Sequence, residues 1–200
     1  MNRQFLNWYG KPVVLASRSP RRAHILKMLD IEFIIQPSNY TEPVNDKLPP
    51  DQLVQSHAYH KAEEVARLFE NAWIIGADTV VIKAGQRLGK PTNRDEAIRM
   101  LQLLSGITHQ VFTGYCVLNS FNHKYVTEAV RTEVTFRKLT DELIRHYIDQ
   151  YQPFDKAGSY GIQDFSAIFI EKIEGCFYNV VGFPVAQFYQ TVTERLSSIR

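Results

Sequence analysis

The stretch Val13-Val14-Leu15-Ala16-Ser17-Arg18-Ser19-Pro20-Arg21-Arg22 passes from an apolar run, through small polar residues, into the start of an amphipathic segment. Its first residues read as a short buried strand. Ser19 suits a helix N-cap and Pro20 the first helical position, where an amide hydrogen has no intrahelical partner. A helix is therefore predicted to run on through Ile25, Leu26, Met28 and Leu29. Arg21 and Arg22 fall in its first turn, where the macrodipole is already positive and carboxylates are the usual choice. Unpaired amides, serine hydroxyls and two guanidiniums at one helix start suit a polyanion such as a triphosphate; on an ordinary surface helix the same arginines are simply solvated.

Downstream, strands and helices alternate. Residues 32–36 read as a second strand beside the first, and a polar loop carrying Glu42 follows; alone, Glu42 reads as a solvated loop carboxylate. Residues 51–70 carry apolar or small side chains at Val54, Ala58, Ala62, Val65 and Leu68, a helical period. Lys61 falls on or beside that stripe. Its ammonium either lies in water with the stem on the core, or reaches into a cleft at the core's edge.

The most hydrophobic strand, Trp73-Ile74-Ile75-Gly76-Ala77-Asp78-Thr79-Val80-Val81-Ile82, has an aspartate in its middle. A buried unpaired carboxylate costs several kcal/mol, so Asp78 must meet a cation, a hydrogen-bond cluster or a wet cleft, or else cap a turn at a strand end. Gly76 and Ala77 read as small residues that leave the approach to Asp78 open. A turn at Ala84-Gly85-Gln86 predicts a hairpin, with Lys90 at its exit and beside Asp78. Residues 94–104 read as a helix, 111–118 and 125–136 as long strands, and 140–151 as a helix with acidic residues in its first turn. The loop Phe154-Asp155-Lys156-Ala157-Gly158-Ser159-Tyr160-Gly161-Ile162-Gln163 is too polar for core and too mixed for a linker. Residues 167–173 and 177–181 read as strands, and 185–196 as a last helix. The pattern predicts an α/β architecture around a mixed sheet flanked by helices, in one domain over residues 1–200 with no linker.

Composition bounds the function. Two hundred residues, 44% hydrophobic and 22% charged, make an ordinary globular chain. A net charge of +2 and the lack of a basic arm argue against nucleic acid as partner. No apolar run reaches a membrane span, and Met1-Asn2-Arg3-Gln4-Phe5 lacks the apolar core of a secretory signal, so the expectation is a cytoplasmic protein off the membrane. Cys116 and Cys176, without metal-ligand spacing, read as buried thiols. His57 and His60 lie one helical turn apart but lack an H-E-x-x-H pattern, which argues against a histidine metal site. Phosphate-loop, dinucleotide-fold and nucleophile-elbow signatures are absent from the sequence.

Six ordered blocks carry a resemblance. They are Leu15-Ala16-Ser17-Arg18-Ser19-Pro20-Arg21-Arg22; Gly76-Ala77-Asp78-Thr79; Gly89-Lys90-Pro91; Leu104-Ser105-Gly106 with His109 and Thr113-Gly114; residues 155–163; and Asn179-Val180-Val181-Gly182-Phe183-Pro184. Together they resemble the Maf family of nucleoside triphosphate pyrophosphatases over nearly the whole chain. The resemblance implies a two-lobed mixed-sheet fold similar to inosine triphosphate pyrophosphatases, with a nucleoside triphosphate in a cleft between lobes. It implies hydrolysis to monophosphate and pyrophosphate with a divalent metal, Mg²⁺ or Mn²⁺, in a homodimer.

By position, the resemblance makes Asp78 the catalytic acid-base residue. Arg21, Thr79 and Gln163 match positions tied to base choice in the dTTP and UTP branch. Ser17, Arg22, Lys61 and Lys90 match polar positions around the phosphates, with Asp155 and Lys156 in support, and Glu42 matches a loop carboxylate that joins Asp78 at the metal. The 7-methyl-GTP branch differs after the Ser-Pro and around the Asp-Thr, where this chain keeps the pyrimidine version. Asp164-Phe165-Ser166 departs from the small residues common after the Gln, and bears on the shape of the base pocket. Two alternatives remain beside dTTP and UTP hydrolysis: a modified purine such as 7-methyl-GTP as substrate, and a nucleotide-binding regulator of cell division without turnover.

Overall fold

The computed structural model describes residues 6–43 and 47–200. Met1–Phe5, and with them the reading of the leader, lie outside the described residues, as does part of the loop after Glu42. The described chain folds into seven strands and six α-helices. Strand β1 (Val13–Leu15) feeds helix α1 (Pro20–Met28), whose N-cap is Ser19, with Pro20 in the first turn as the sequence predicts. Strand β2 (Ile34–Ile35) lies parallel to β1. Helix α2 (Pro50–Ala66) ends one turn earlier than its apolar pattern predicts, and β3 (Trp73–Lys83) runs parallel to β1. The hairpin partner β4 (Gln86–Leu88) pairs antiparallel with β3, and α3 (Arg94–Leu104) follows. Next come β5 (Thr108–Asn119), β6 (Tyr125–Phe136) and α4 (Asp141–Tyr151), then β7 (Ile170–Glu174), antiparallel to β6, α5 (Phe177–Val181) and α6 (Val185–Arg195). The sheet is mixed, in the order β2-β1-β3-β5-β6-β7, with β4 on β3.

Two compact units form along the chain. The first comprises the chain up to Asp78 together with Thr113–Val130 and Gly182–Arg200; the second comprises Thr79–Phe112 and Arg131–Val181. In the first unit Val14, Ala16, Ile74, Cys116 and Leu118 pack against Ala58, Ala62, Val65 and Ala66 of α2. Small residues let this helix lie unusually close to the sheet. A Cβ at Gly76 would stand 2.1 Å from the carbonyl oxygen of Ala58, and one at Gly114 would stand 2.5 Å from the carbonyl carbon of Val54. Gly76 therefore serves to admit the backbone of α2, which corrects its reading as open space before Asp78. The second unit has its own core, built from Leu101, Leu104, Val134, Phe136, Tyr147, Tyr160 and Phe169 among others. His109 is buried there, with Nε2 2.8 Å from the Tyr160 hydroxyl.

The C-terminal third departs from the sequence reading. Residues 177–181, read as a strand, form the short helix α5, and the segment read as a strand from Ala167 starts as a 3-10 turn, Phe165–Phe169. Short apolar runs do not distinguish strand from helix by periodicity. Here Thr132 decides: its Oγ1 accepts from the Cys176 amide at 3.1 Å and from Asn179 Nδ2 at 2.9 Å, while Asn179 Nδ2 also donates to the Val111 carbonyl at 3.0 Å. The chain is thereby turned in on itself where a strand would extend. Cys116 and Cys176 are free thiols, and burial pushes the Cys116 thiol up.

Candidate active site

Asp78 and Gly76 are two residues apart on β3, so both side-chain positions face α2. The close approach that Gly76 permits brings one stripe of that helix to Asp78. His57 and Lys61, a turn apart, both reach it: Lys61 Nζ donates to Asp78 Oδ1 at 2.7 Å, and His57 Nδ1 is 3.2 Å from Oδ2. Lys61 donates also to Glu42 Oε1 at 2.7 Å, and Glu42 Oε2 stands 3.8 Å from His57 Nδ1. Lys61 thus turns its ammonium to two carboxylates instead of leaving it in bulk water. Glu42 is held over the helix by its neighbours in the loop. The Ser38 hydroxyl bonds the Glu64 carboxylate, and the Tyr40 ring stacks on His60 with centroids 5.2 Å apart.

Burial alone would raise the pKa of Asp78. The hydrogen bond from His57, the charge and hydrogen bond of Lys61, and the charge of Arg22 more than offset it and hold the carboxyl well below the usual carboxylate range. Asp78 is thus a buried carboxylate that stays ionised at any physiological pH. Arg22 brings a second cation. Its Nε donates to the Gly182 carbonyl at 3.0 Å and its Nη1 to Ser17 Oγ at 3.1 Å; burial lowers its pKa, opposed by the charge of Asp78. Ser17 Oγ also accepts from the Ser19 amide at 3.2 Å, so the turn between β1 and α1 is pinned by the two side chains that the sequence singled out. Arg21, half-buried, follows Pro20 in the first turn of α1.

Ser17, Arg22, Glu42, Lys61 and Asp78 therefore gather in the first unit, with Arg21 adjacent in sequence. Thr79, Lys90, Asp155, Lys156 and Gln163 belong to the second. There Lys156 Nζ bonds Asp155 Oδ1 at 2.7 Å, and the Gly158 amide donates to the Gly89 carbonyl at 2.9 Å, next to Lys90. Lys90 and Gln163 are exposed. Asp164 and Ser166 knit this loop together. Ser166 Oγ lies 2.8 Å from the Gly161 carbonyl and 2.7 Å from Asp164 Oδ1, and the Tyr147 hydroxyl donates to Asp164 at 3.3 Å. Asp164 and Ser166 thus fix the backbone on either side of Gln163.

His57 is the residue that sequence reasoning missed. Its spacing to His60 drew attention away from its spacing to Lys61, four residues on and on the same helix face. Glu42, His57 and Asp78 each offer one ligand atom, all within 4.8 Å of one another, so a histidine stands where it could join the two carboxylates at an ion, an arrangement the sequence expectation did not foresee. Two carboxylate oxygens and an imidazole nitrogen are a donor set that fits a divalent cation.

Residues 12–195 match the family described as Maf-like protein. The chain is 48% identical over 176 residues to a dTTP/UTP pyrophosphatase of Alkaliphilus metalliredigens, a match covering 88% of this chain and 91% of that protein. It is 44% identical over 184 residues to a dTTP/UTP pyrophosphatase of Bacillus cereus strain G9842, with 92% and 95% covered, and 43% identical over 177 residues to one of Desulforamulus reducens, with 88% and 93% covered. A solved nucleoside-triphosphatase / dITP/XTP pyrophosphatase of Mycobacterium abscessus aligns over 94% of this chain and 96% of its own, at 12% identity and a TM-score of 0.45. With a match across nearly its whole length, this chain belongs to the Maf family.

Proposed function

We propose that this protein is a nucleoside triphosphate pyrophosphatase that hydrolyses dTTP and UTP to the monophosphate and pyrophosphate. The observation that carries the reading is Asp78: a buried carboxylate, its pKa held down by its neighbours, hydrogen-bonded by Lys61 and beside the charge of Arg22, in a chain whose relatives bear that activity in their names. Two acids, Glu42 and Asp78, against two cations, Lys61 and Arg22, leave the cluster formally neutral and able to accept a polyanion together with a divalent cation.

Lys61 and Arg22 counter charge on the triphosphate, Ser17 and the amides at the start of α1 hold its oxygens, and Lys90 is assigned to the phosphates by the family pattern alone. Asp78 and Glu42 would hold a divalent cation, which would supply further charge neutralisation for a departing pyrophosphate. The depressed pKa makes Asp78 a weak base, so its main task is to orient water towards the α-phosphorus, with positioning and electrostatics outweighing proton abstraction. The reading takes residues 1–200 as one cytoplasmic domain that works as a homodimer, on free nucleotides.

Arg21, Thr79 and Gln163 are assigned to base choice. The Gln163 amide offers both a donor and an acceptor to the imide edge shared by uracil and thymine, and losing one such match costs about 1–3 kcal/mol. In a panel of UTP, dTTP, CTP and 7-methyl-GTP with Mg²⁺ or Mn²⁺, followed by pyrophosphate release, UTP and dTTP lead and CTP falls at least about tenfold behind. Equal rates on UTP and CTP remove the role of Gln163. A lead for 7-methyl-GTP, or saturable binding of UTP without turnover, overturns the assignment.

A further inference from the structure

The cluster around Asp78 is divided into two faces. Lys61 takes Oδ1 of Asp78 and Oε1 of Glu42, each at 2.7 Å. The remaining oxygens, Asp78 Oδ2 and Glu42 Oε2, both turn towards His57 Nδ1, at 3.2 and 3.8 Å. His57 itself is wholly buried and reaches this point only because α2 lies against Gly76. A first-row divalent ion holds nitrogen and oxygen ligands at about 2.0–2.2 Å, which sets neighbouring donors about 3 Å apart. His57 Nδ1 and Asp78 Oδ2 already stand near that spacing, and Glu42 is an exposed loop side chain whose torsions close the remaining gap.

We propose that His57 is a nitrogen ligand, with Asp78 and Glu42, in a mixed nitrogen and oxygen site that takes a first-row transition cation such as Mn²⁺ in preference to Mg²⁺. Magnesium favours oxygen donors and parts reluctantly with its water, whereas imidazole suits the transition ions. An all-carboxylate site would not discriminate in this direction. Ligation through Nδ1 selects the imidazole tautomer with its proton on Nε2. Lys61 stays on the opposite oxygens, so binding the ion does not require its displacement. The inference deepens the reading of Asp78 and Glu42 as the cation-holding carboxylates and rests on it.

The test uses the full chain and the metal alone. Mn²⁺ titrated into the protein and followed by electron paramagnetic resonance gives the affinity, and electron spin-echo modulation detects a directly bound ¹⁴N. Wild type takes up Mn²⁺ saturably with nitrogen modulation. His57→Gln and His57→Leu lose the modulation and bind Mn²⁺ about 10–100-fold more weakly, while calorimetric Mg²⁺ affinity moves by less than about threefold. Saturable Mn²⁺ without nitrogen modulation, no saturable Mn²⁺ uptake by wild type, or unchanged Mn²⁺ affinity in folded variants overturns the proposal. If neither variant folds by circular dichroism, the wild-type modulation alone decides. Nitrogen modulation without pyrophosphate release from UTP removes the catalytic reading and leaves the site; pyrophosphate release without modulation does the reverse.

Discussion

Asp78→Asn is expected to lower the turnover of UTP by at least about 100-fold, the loss typical of removing one preorganised electrostatic group from a site. The substitution keeps the side-chain volume and removes the negative charge. With it go the partner of Lys61 at 2.7 Å, the counter-charge of Arg22 and one carboxylate of the cation site. Asn also offers an amide where the carboxylate accepted hydrogen bonds on both oxygens, so water is no longer aimed by a fixed anion. Because Asp78 is ionised throughout the physiological range, raising the pH cannot restore the variant, and its deficit persists across the pH profile. Pyrophosphate release under saturating UTP, with the fold verified by circular dichroism, measures the effect. Turnover within a few-fold of wild type would take Asp78 out of the chemistry.

The second large effect is on stability and comes from a histidine outside the proposed chemistry. His109 is buried against Phe136 and Tyr160, and desolvation pulls its pKa down to about 4. In the unfolded chain the same imidazole titrates near 6.5. Between those values the unfolded state binds the extra proton, so stability rises with pH across the window. The stabilisation from keeping His109 neutral is complete above about pH 6.5 and is lost as pH falls towards 4. A difference of this size corresponds to about 3 kcal/mol. The depressed carboxyl of Asp78 acts in the same sense at lower pH, below the ordinary aspartate range, so the two windows separate. Urea unfolding at several pH values from 7 to 4 should show wild type losing about 3 kcal/mol more than His109→Gln, which cannot take up the proton. Parallel losses in both proteins would assign the acid sensitivity to other groups.

Much of this was legible before any coordinates. Ser19 and Pro20 announced α1, the period of Ala58 and Ala62 announced α2, and an aspartate in the middle of the most apolar strand announced a site. Those signals are local or periodic, and the sequence expresses them directly. What escaped was set by contacts across sequence distance. The bonds from Asn179 and Cys176 to Thr132 turn residues 177–181 into a helix, and no local pattern reveals a partner more than forty residues away. Gly76 looked like an open approach to Asp78 because the carbonyl of Ala58 that fills the space lies on another element. His57 was legible in principle, since a residue four before Lys61 on one helix face must reach the same strand, but that inference needs the helix to be docked on β3. The roles proposed for Thr79, Lys90 and Gln163 come from the family pattern, as nothing in their own sequence neighbourhoods dictates a base or phosphate contact.

The central claim is that water, oriented by Asp78, attacks the α-phosphorus and expels pyrophosphate. Turnover of UTP in ¹⁸O-labelled water, with products resolved by mass spectrometry, tests it most directly. The account predicts one ¹⁸O in UMP and none in pyrophosphate. Label in pyrophosphate, or inorganic phosphate with UDP as the products, would contradict it.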